Sequence, residues 1–288
     1  MKRITLIACA LFSILLINPV MTWAGSCPEG QKENGRSGEC EPVKGSAKTK
    51  KTLSSGSGWR FERSLRVGAK KYGYQVVSVP YHPVRYGQNS EKFEVRPGDC
   101  SRSTEGGWDD CKNDRERSEL SQRGNTQKEG DEYWYRWSIY IPESHQNLYR
   151  TKVCYGQFHQ EYCEPVLMFN EHEGGYWLSI DEQLIDYGEQ NINLLRAQDF
   201  VGRWNDIVVH IRWTKKKNGW VKVWVNGEEK VDYVGKTIAC RQVYFKYGVY
   251  RSFISRRKKL TETVTTTAYY DGVVRSKSKE GMFDPLTE

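Results

Sequence analysis

The segment "GWVKVWVNGEE", residues 219–229, constrains the fold more than any other stretch of the chain. Val221, Val223 and Val225 alternate with Trp220, Lys222 and Trp224, and a period of two is that of a β-strand with one buried face. Asn226-Gly227 follows at once and suits a two-residue hairpin, whose central positions need positive φ. The same alternation runs through "EYWYRWSIYIP" (132–142), closed by Pro142, and through "WNDIVVHIRW" (204–213), which a "KKKNG" loop joins to the opening segment. "EKFEVRPGD" (91–99) ends on a Pro97-Gly98-Asp99 turn. Helical periodicity nowhere exceeds two turns; its best stretch is "EQNINLLRAQDF" (189–200). Many short strands, few helices and no internal repeat predict an all-β fold, a jelly roll or concanavalin-like sandwich built on one core. Most of the ten tryptophans are expected to fill that core.

Lys2 and Arg3 precede an apolar run over residues 4–16, and small residues surround Ala24. That pattern predicts a signal peptide over 1–24, because the run is shorter than the ~20 residues a membrane span needs. No later stretch is apolar enough to span a bilayer, so a secreted or periplasmic protein free of membrane contacts is expected. Residues 25–58 are polar and rich in Gly, Ser and Lys, which predicts a flexible, disordered linker leading into a domain at 59–288. The mature chain keeps seven cysteines, six of them close in sequence: Cys27 with Cys40, Cys100 with Cys111 and Cys154 with Cys163. In an oxidising compartment these read as three local disulfides, with Cys240 left over. No pair has zinc-like spacing, so no metal site is predicted.

Losing Lys2 and Arg3 takes the formal charge from +8 to +6. An exported, modestly basic chain without a nucleic-acid-binding motif points to acidic glycans and away from nucleic acid. Three separated strands place polar side chains on one face. "RSELSQ" carries Arg117 and Glu119, "YGQFHQ" carries Gln157 and His159, and "YFKYGVY" carries Tyr244, Lys246, Gly248 and Tyr250. Each row alone is an ordinary solvent-facing strand; together they can line one surface with a base, an acid and cations.

In that order, "RSEL", "QFH" and "YFKYGVY" resemble the R-x-E-L, Q-x-H and Y-F-K-x-G-x-Y signatures of jelly-roll polysaccharide lyases. The flanking "FEVRPGD", "YRWSIYIP", "KVWVNGEE" and "AYYDGVV" are most similar to the heparin-lyase-like and glucuronan-lyase-like branch, over residues 59–274. The resemblance implies β-elimination at a uronic acid. That reaction needs a base for the proton α to the carboxylate, an offset for the carboxylate charge, and an acid for the leaving oxygen. It implies Arg117 and Gln157 on the carboxylate, His159 as base and Tyr250 as acid, with tyrosine filling both proton-transfer roles in some members. Lys246, Glu119 and Tyr244 are substrate-binding neighbours. Lys246 either favours the Tyr250 phenolate or binds a substrate carboxylate, and Gly248 between them leaves room for a sugar. No cofactor is required; the family analogy allows a structural calcium, for which "FNEHEGG" near residue 170 is the one candidate loop, its alternative being a plain turn.

The implied partner is an anionic polysaccharide, whether glucuronan, alginate or heparin-like, cleaved by a monomer. Two departures weaken the case for alginate: Tyr247 stands where alanine is usual, though with parity that points it away from the cleft, and Ser252 stands for glutamine. The basic run "ISRRKKL" (254–260) is either a solvated loop or a substrate contact. The competing functions are a lectin-like binding module, which needs no acid and base, and a glycoside hydrolase, for which "NEHEGGY" offers Glu171 and Glu173 on one face, a weaker signal than the lyase motifs.

Overall fold

The structure, a computed structural model, describes residues 31–33, 40–42, 59–104, 106–185 and 188–283. Two units divide the chain, residues 1–52 and 53–288. In the first, β1 (Gln31–Glu33) and β2 (Cys40–Pro42) pair antiparallel. The expected signal peptide, the Cys27–Cys40 bridge and the rest of the 25–58 linker lie outside the described residues.

Among the described residues, the second unit carries fourteen strands in two sheets of seven. These are β3 (Arg60–Arg63), β4 (Tyr74–Ser78), β5 (Asn89–Val95), β6 (Arg115–Arg123), β7 (Glu132–Tyr140), β8 (Lys152–Gln160) and β9 (Cys163–His172). There follow β10 (Gly175–Ile180), β11 (Gln190–Leu195), β12 (Trp204–Arg212), β13 (Gly219–Val225), β14 (Glu228–Gly235), β15 (Val243–Ser252) and β16 (Thr266–Ser276). One sheet runs β11-β10-β9-β8-β15-β6-β3 and the other β14-β13-β12-β7-β16-β5-β4. The chain passes between the sheets over β5–β8 and β14–β16, while β8–β11 and β12–β14 each run on within one sheet, and the two sheets make the jelly-roll sandwich.

Alternation decides what meets between the sheets. Tyr135, Trp137 and Ile139 of β7 face Phe158 of β8 and Phe245 of β15; Tyr135 and Phe158 rings lie 4.9 Å apart, Trp137 and Phe245 5.2 Å. Val221, Val223 and Val225 are buried as their pattern requires. Asn226 and Gly227 close the β13–β14 hairpin at φ 51° and 84°.

Three expectations are corrected. The 189–200 stretch is mostly strand β11, and helix is confined to α1 (Ala197–Phe200), because Asn191 and Ile192 pair with Ser179 and Leu178 of β10. Among the described tryptophans only Trp59, Trp137 and Trp213 are core residues; Trp134, Trp220 and Trp224 occupy outward positions that alternation denies to the core. The Cys100–Cys111 disulfide is present, but Cys163 bonds Cys240 and Cys154 is free and buried. Cys163 stands opposite Gln160, six residues along β8 from Cys154, or about 20 Å of strand, far beyond disulfide reach. Gln160 Oε1 accepts the backbone N–H groups of Ala239 and Cys240, which holds the 236–242 loop against the end of β8.

Candidate active site

Strands β8, β15 and β6 are direct neighbours, so the three polar rows meet side by side. On β15, Phe245, Tyr247 and Val249 enter the core, which turns Tyr244, Lys246 and Tyr250 to the opposite face. Tyr247 points inward as its parity required, stacking on Phe245 at 5.8 Å and donating its hydroxyl to Glu91. Register sets His159 opposite Tyr244, Gln157 opposite Lys246, and Arg117 opposite Tyr250.

Glu119 is the hub. Its Oε2 meets Lys246 Nζ at 2.6 Å and Arg117 Nη1 at 3.2 Å, and its Oε1 accepts from Gln157 Nε2. Arg117 also grips Asp110 through Nε and Nη2 at 2.7 and 2.6 Å. Arg117, Glu119, Gln157 and Lys246 are all more than nine-tenths buried, so two cations and two carboxylates neutralise each other away from water. Burial pushes Glu119 upward, yet Lys246 and Arg117 hold it below the usual carboxylate range.

His159 and Tyr250 flank this cluster, each half-buried. The Nδ1 of His159 lies 2.7 Å from the Gln160 carbonyl, which can only accept. Nδ1 therefore carries the proton and Nε2 keeps its lone pair. Burial, reinforced by the Lys246 ammonium, pulls the imidazole down to about 4, so it is neutral at neutral pH. Tyr250 lies under Arg117, whose guanidinium carbon is 4.2 Å from the ring centre, and Arg115 Nε donates to its hydroxyl at 3.2 Å. Burial holds the phenol above the usual tyrosine value of 10.0, against the opposing pull of Arg117 and Arg115. Tyr244 stacks beside His159 with its hydroxyl 3.1 Å from Nδ1, and burial pushes it up to about 12.

Two expectations change in detail. Lys246 is paired with Glu119, and the cations on Tyr250 are Arg117 and Arg115. Gly248 makes no space for a sugar: its φ is 132°, and an added Cβ would meet Ser118 O at 2.4 Å and core residue Phe93 at 2.7 Å. It serves a bulge, since Tyr247 pairs with Gly156 but Tyr250 with Cys154, so β15 carries one residue more than β8 there.

Sequence reasoning missed Asp110 and Arg115. Arg115 was within reach, because Arg115, Arg117 and Glu119 share one strand face; Asp110 comes from a loop with no periodic signal. The "FNEHEGG" stretch is the end of β9 and its turn into β10, with Glu173 and Gly174 at φ 50° and 82°. Glu171 is buried against His145 and Tyr155, so it makes no carboxylate pair with Glu173. Among the described residues no three His, Cys, Asp or Glu side chains are grouped to hold a metal ion.

The fold is similar to that of the endo-β-1,4-glucuronan lyase from the fungus Trichoderma reesei, with a TM-score of 0.57 and 16% identity over 78% of this chain and 94% of that one. It is also similar to alginate lyase AlgAT5 from polysaccharide lyase family 7, with a TM-score of 0.50 and 18% identity over 75% of this chain and 93% of that one. At these identities the likeness is one of fold. No curated protein matches the chain. The family model described as "Polysaccharide lyase" matches residues 51–274, which include both sheets up to β16 and every residue of the site. The chain belongs to the polysaccharide lyase family and is an enzyme of that kind.

Proposed function

We propose that the protein cleaves a uronic-acid-containing polysaccharide by β-elimination after export from the cytoplasm. The observation that carries this reading is a neutral imidazole with a free Nε2 and a protonated phenol beside two guanidinium groups, on one face of adjacent strands. His159 Nε2 takes the C5 proton, the electron pair forms the C4–C5 double bond, the C4–O bond breaks, and a tyrosine, Tyr250 by the motif or Tyr244 by register, gives its proton to the leaving oxygen. Both groups are in the right protonation state at neutral pH, which acid–base catalysis requires. The substrate carboxylate is drawn to Arg115 and to the guanidinium hydrogens that Arg117 has not committed to Asp110 and Glu119; Gln157 adds its carboxamide. Lys246 and Glu119 act mainly by holding Arg117 and Gln157 in place. Two disulfides in the second unit support export, because such bonds persist in oxidising compartments.

A second assignment of the acid rests on register. Tyr244, rather than Tyr250, stands opposite His159, and Tyr250 is six residues further along β15. Tyr244→Phe against Tyr250→Phe decides between them. The whole reading is tested by ultraviolet absorbance of the unsaturated product, with glucuronan, alginate, heparin, heparan sulfate, hyaluronan and pectate as substrates. A rise with one of them is expected and names it. Binding without a rise, from folded protein, replaces elimination by a lectin-like function.

A further inference from the structure

A cavity of about 490 Å³ opens beyond Tyr250 on the same side of the sheet. Register leads directly to it, since Arg117, Tyr250, Cys154, Asn170 and Trp177 form one cross-strand row over β6, β15, β8, β9 and β10. Asn170 is thus two strands from Tyr250, roughly 10 Å at the usual strand spacing. Its wall holds three cations, Arg150, Lys152 and Arg256. Arg256 comes from the basic run 254–260, which Asp114 fixes by accepting from Ser255 N at 3.0 Å and Ser255 Oγ at 2.7 Å. Buried Arg251 ties down the far end of that segment by donating to the carbonyls of Thr261 and Val264.

Lining residues of the cavity form a short hydrogen-bond chain that starts from a buried, unpartnered acceptor. Asn170 Nδ2 donates to Ser179 Oγ at 3.0 Å, and Ser179 Oγ donates to Asn191 Oδ1 at 2.5 Å. Asn170 is only 4% exposed, and its Oδ1 has no partner. A buried acceptor of that kind wants a donor, and a sugar hydroxyl is one. Tyr149, His172 and Trp177 form an edge-to-face series beside it, with centroids 4.6 and 5.2 Å apart. Aromatic rings, a fixed amide and clustered cations are the equipment for a pyranose that carries an oxyanion. Glu189 on the wall is suited to accept a further hydroxyl.

We propose that this cavity binds a second, anionic sugar unit of the same chain, a neighbour of the unit being cut, through Arg150, Lys152, Arg256 and Asn170. The inference rests on the uronan reading above. It gives Arg256 of the basic run 254–260 a role and makes the enzyme selective for chains charged at that neighbouring unit.

Calorimetric binding of size-defined uronan oligosaccharides to the full chain tests it, with one ligand sulfated and one carrying carboxylates alone. Lys152→Glu with Arg256→Glu is expected to weaken binding about tenfold or more and to raise KM with kcat within about threefold. Lys215→Glu with Lys216→Glu, on an exposed hairpin loop, changes net charge equally and is expected to leave binding unaltered. Asn170→Leu gives a charge-free check, and a thermal melt establishes that it folds. A greater loss for the sulfated ligand assigns the oxyanion as sulfate; an equal loss assigns it as carboxylate. Unchanged affinity in the Lys152/Arg256 variant, or an equal drop in the hairpin control, overturns the proposal. A wild type that binds but yields no unsaturated product, with the cavity variant weakened, sinks the elimination and keeps the cavity; one that cleaves while the cavity variant is unaffected does the reverse. A wild type that neither binds nor cleaves either ligand overturns both.

Discussion

The outward faces of the two sheets use the same alternation to opposite ends. On β12 and β13, His210 stacks on Trp134 at 4.0 Å and meets Glu132 at 2.7 Å, while Lys222 meets Asp232 at 2.8 Å. Each of these two pairs joins one acid to one basic side chain on a neighbouring strand, and both acids are about half exposed. Met282 and Phe283 of the C-terminal segment pack against Trp134, Trp224 and Val208 and cover part of this face. On β6, β8 and β15 the charges are buried, and a single carboxylate serves a lysine, an arginine and a glutamine. Polar residues facing outward therefore say little about chemistry. Sharing and burial matter more, because electrostatic coupling strengthens where water is excluded.

The largest effect separating the two faces is in rate. His159→Ala and Tyr250→Phe are each expected to lower kcat by about 10²- to 10⁴-fold with an unchanged melt, whereas Lys222→Gln keeps the wild-type rate in the same absorbance assay. Full turnover by either site variant removes that residue from the mechanism. The next effect is in stability. Glu119→Gln leaves Lys246 and Arg117 buried without their shared carboxylate, and removing one partner of a buried pair costs about 3–5 kcal/mol. Glu132→Gln on the opposite face is expected to stay within about 0.5 kcal/mol, and urea unfolding of the two variants gives the comparison directly. A matching small shift in both would mean that Glu119 is no hub.

A smaller and more specific effect is in pH. The base is neutral His159, so activity falls as pH drops through its pKa, which burial and Lys246 bring from 6.5 to about 4. The acid limb of kcat/KM is expected near pH 4, and Lys246→Met should move it upward because a cation that disfavours imidazolium is gone. The unfolded chain takes up this proton at higher pH than the folded one, so acidification from 6.5 towards 4 destabilises the fold, and His159→Gln should flatten that dependence. The smallest effect concerns Arg115. Arg115→Ala removes one of the two groups that pull Tyr250 down, so any alkaline limb that reports Tyr250 moves to still higher pH.

Much of this was open to a reader of the residues. The β-strands followed from period two, the hairpin from Asn226-Gly227, and the three polar rows from parity along single strands. The lyase motifs gave the family and the implied roles. Elsewhere the reading failed for identifiable reasons. Cys154 and Cys163 are near in sequence but at opposite ends of an antiparallel pair, and Cys240 arrives from 77 residues away. Gly248 looked like space for a ligand, but it accommodates a bulge packed against Ser118 and Phe93.

The sequence by itself determined which side chains share a strand face, because that depends only on the two-residue repeat of an extended backbone. It could not determine which strands lie side by side, and so left open that Glu119 holds Lys246, Arg117 and Gln157 from three different strands. Nor could it supply the loops that bring Asp110 to Arg117 and Arg256 to the cavity beside Trp177. The contacts of Glu119 with Gln157 and Lys246 are long-range in the chain, and their strength comes from burial, which exists only once both sheets and their loops have excluded water.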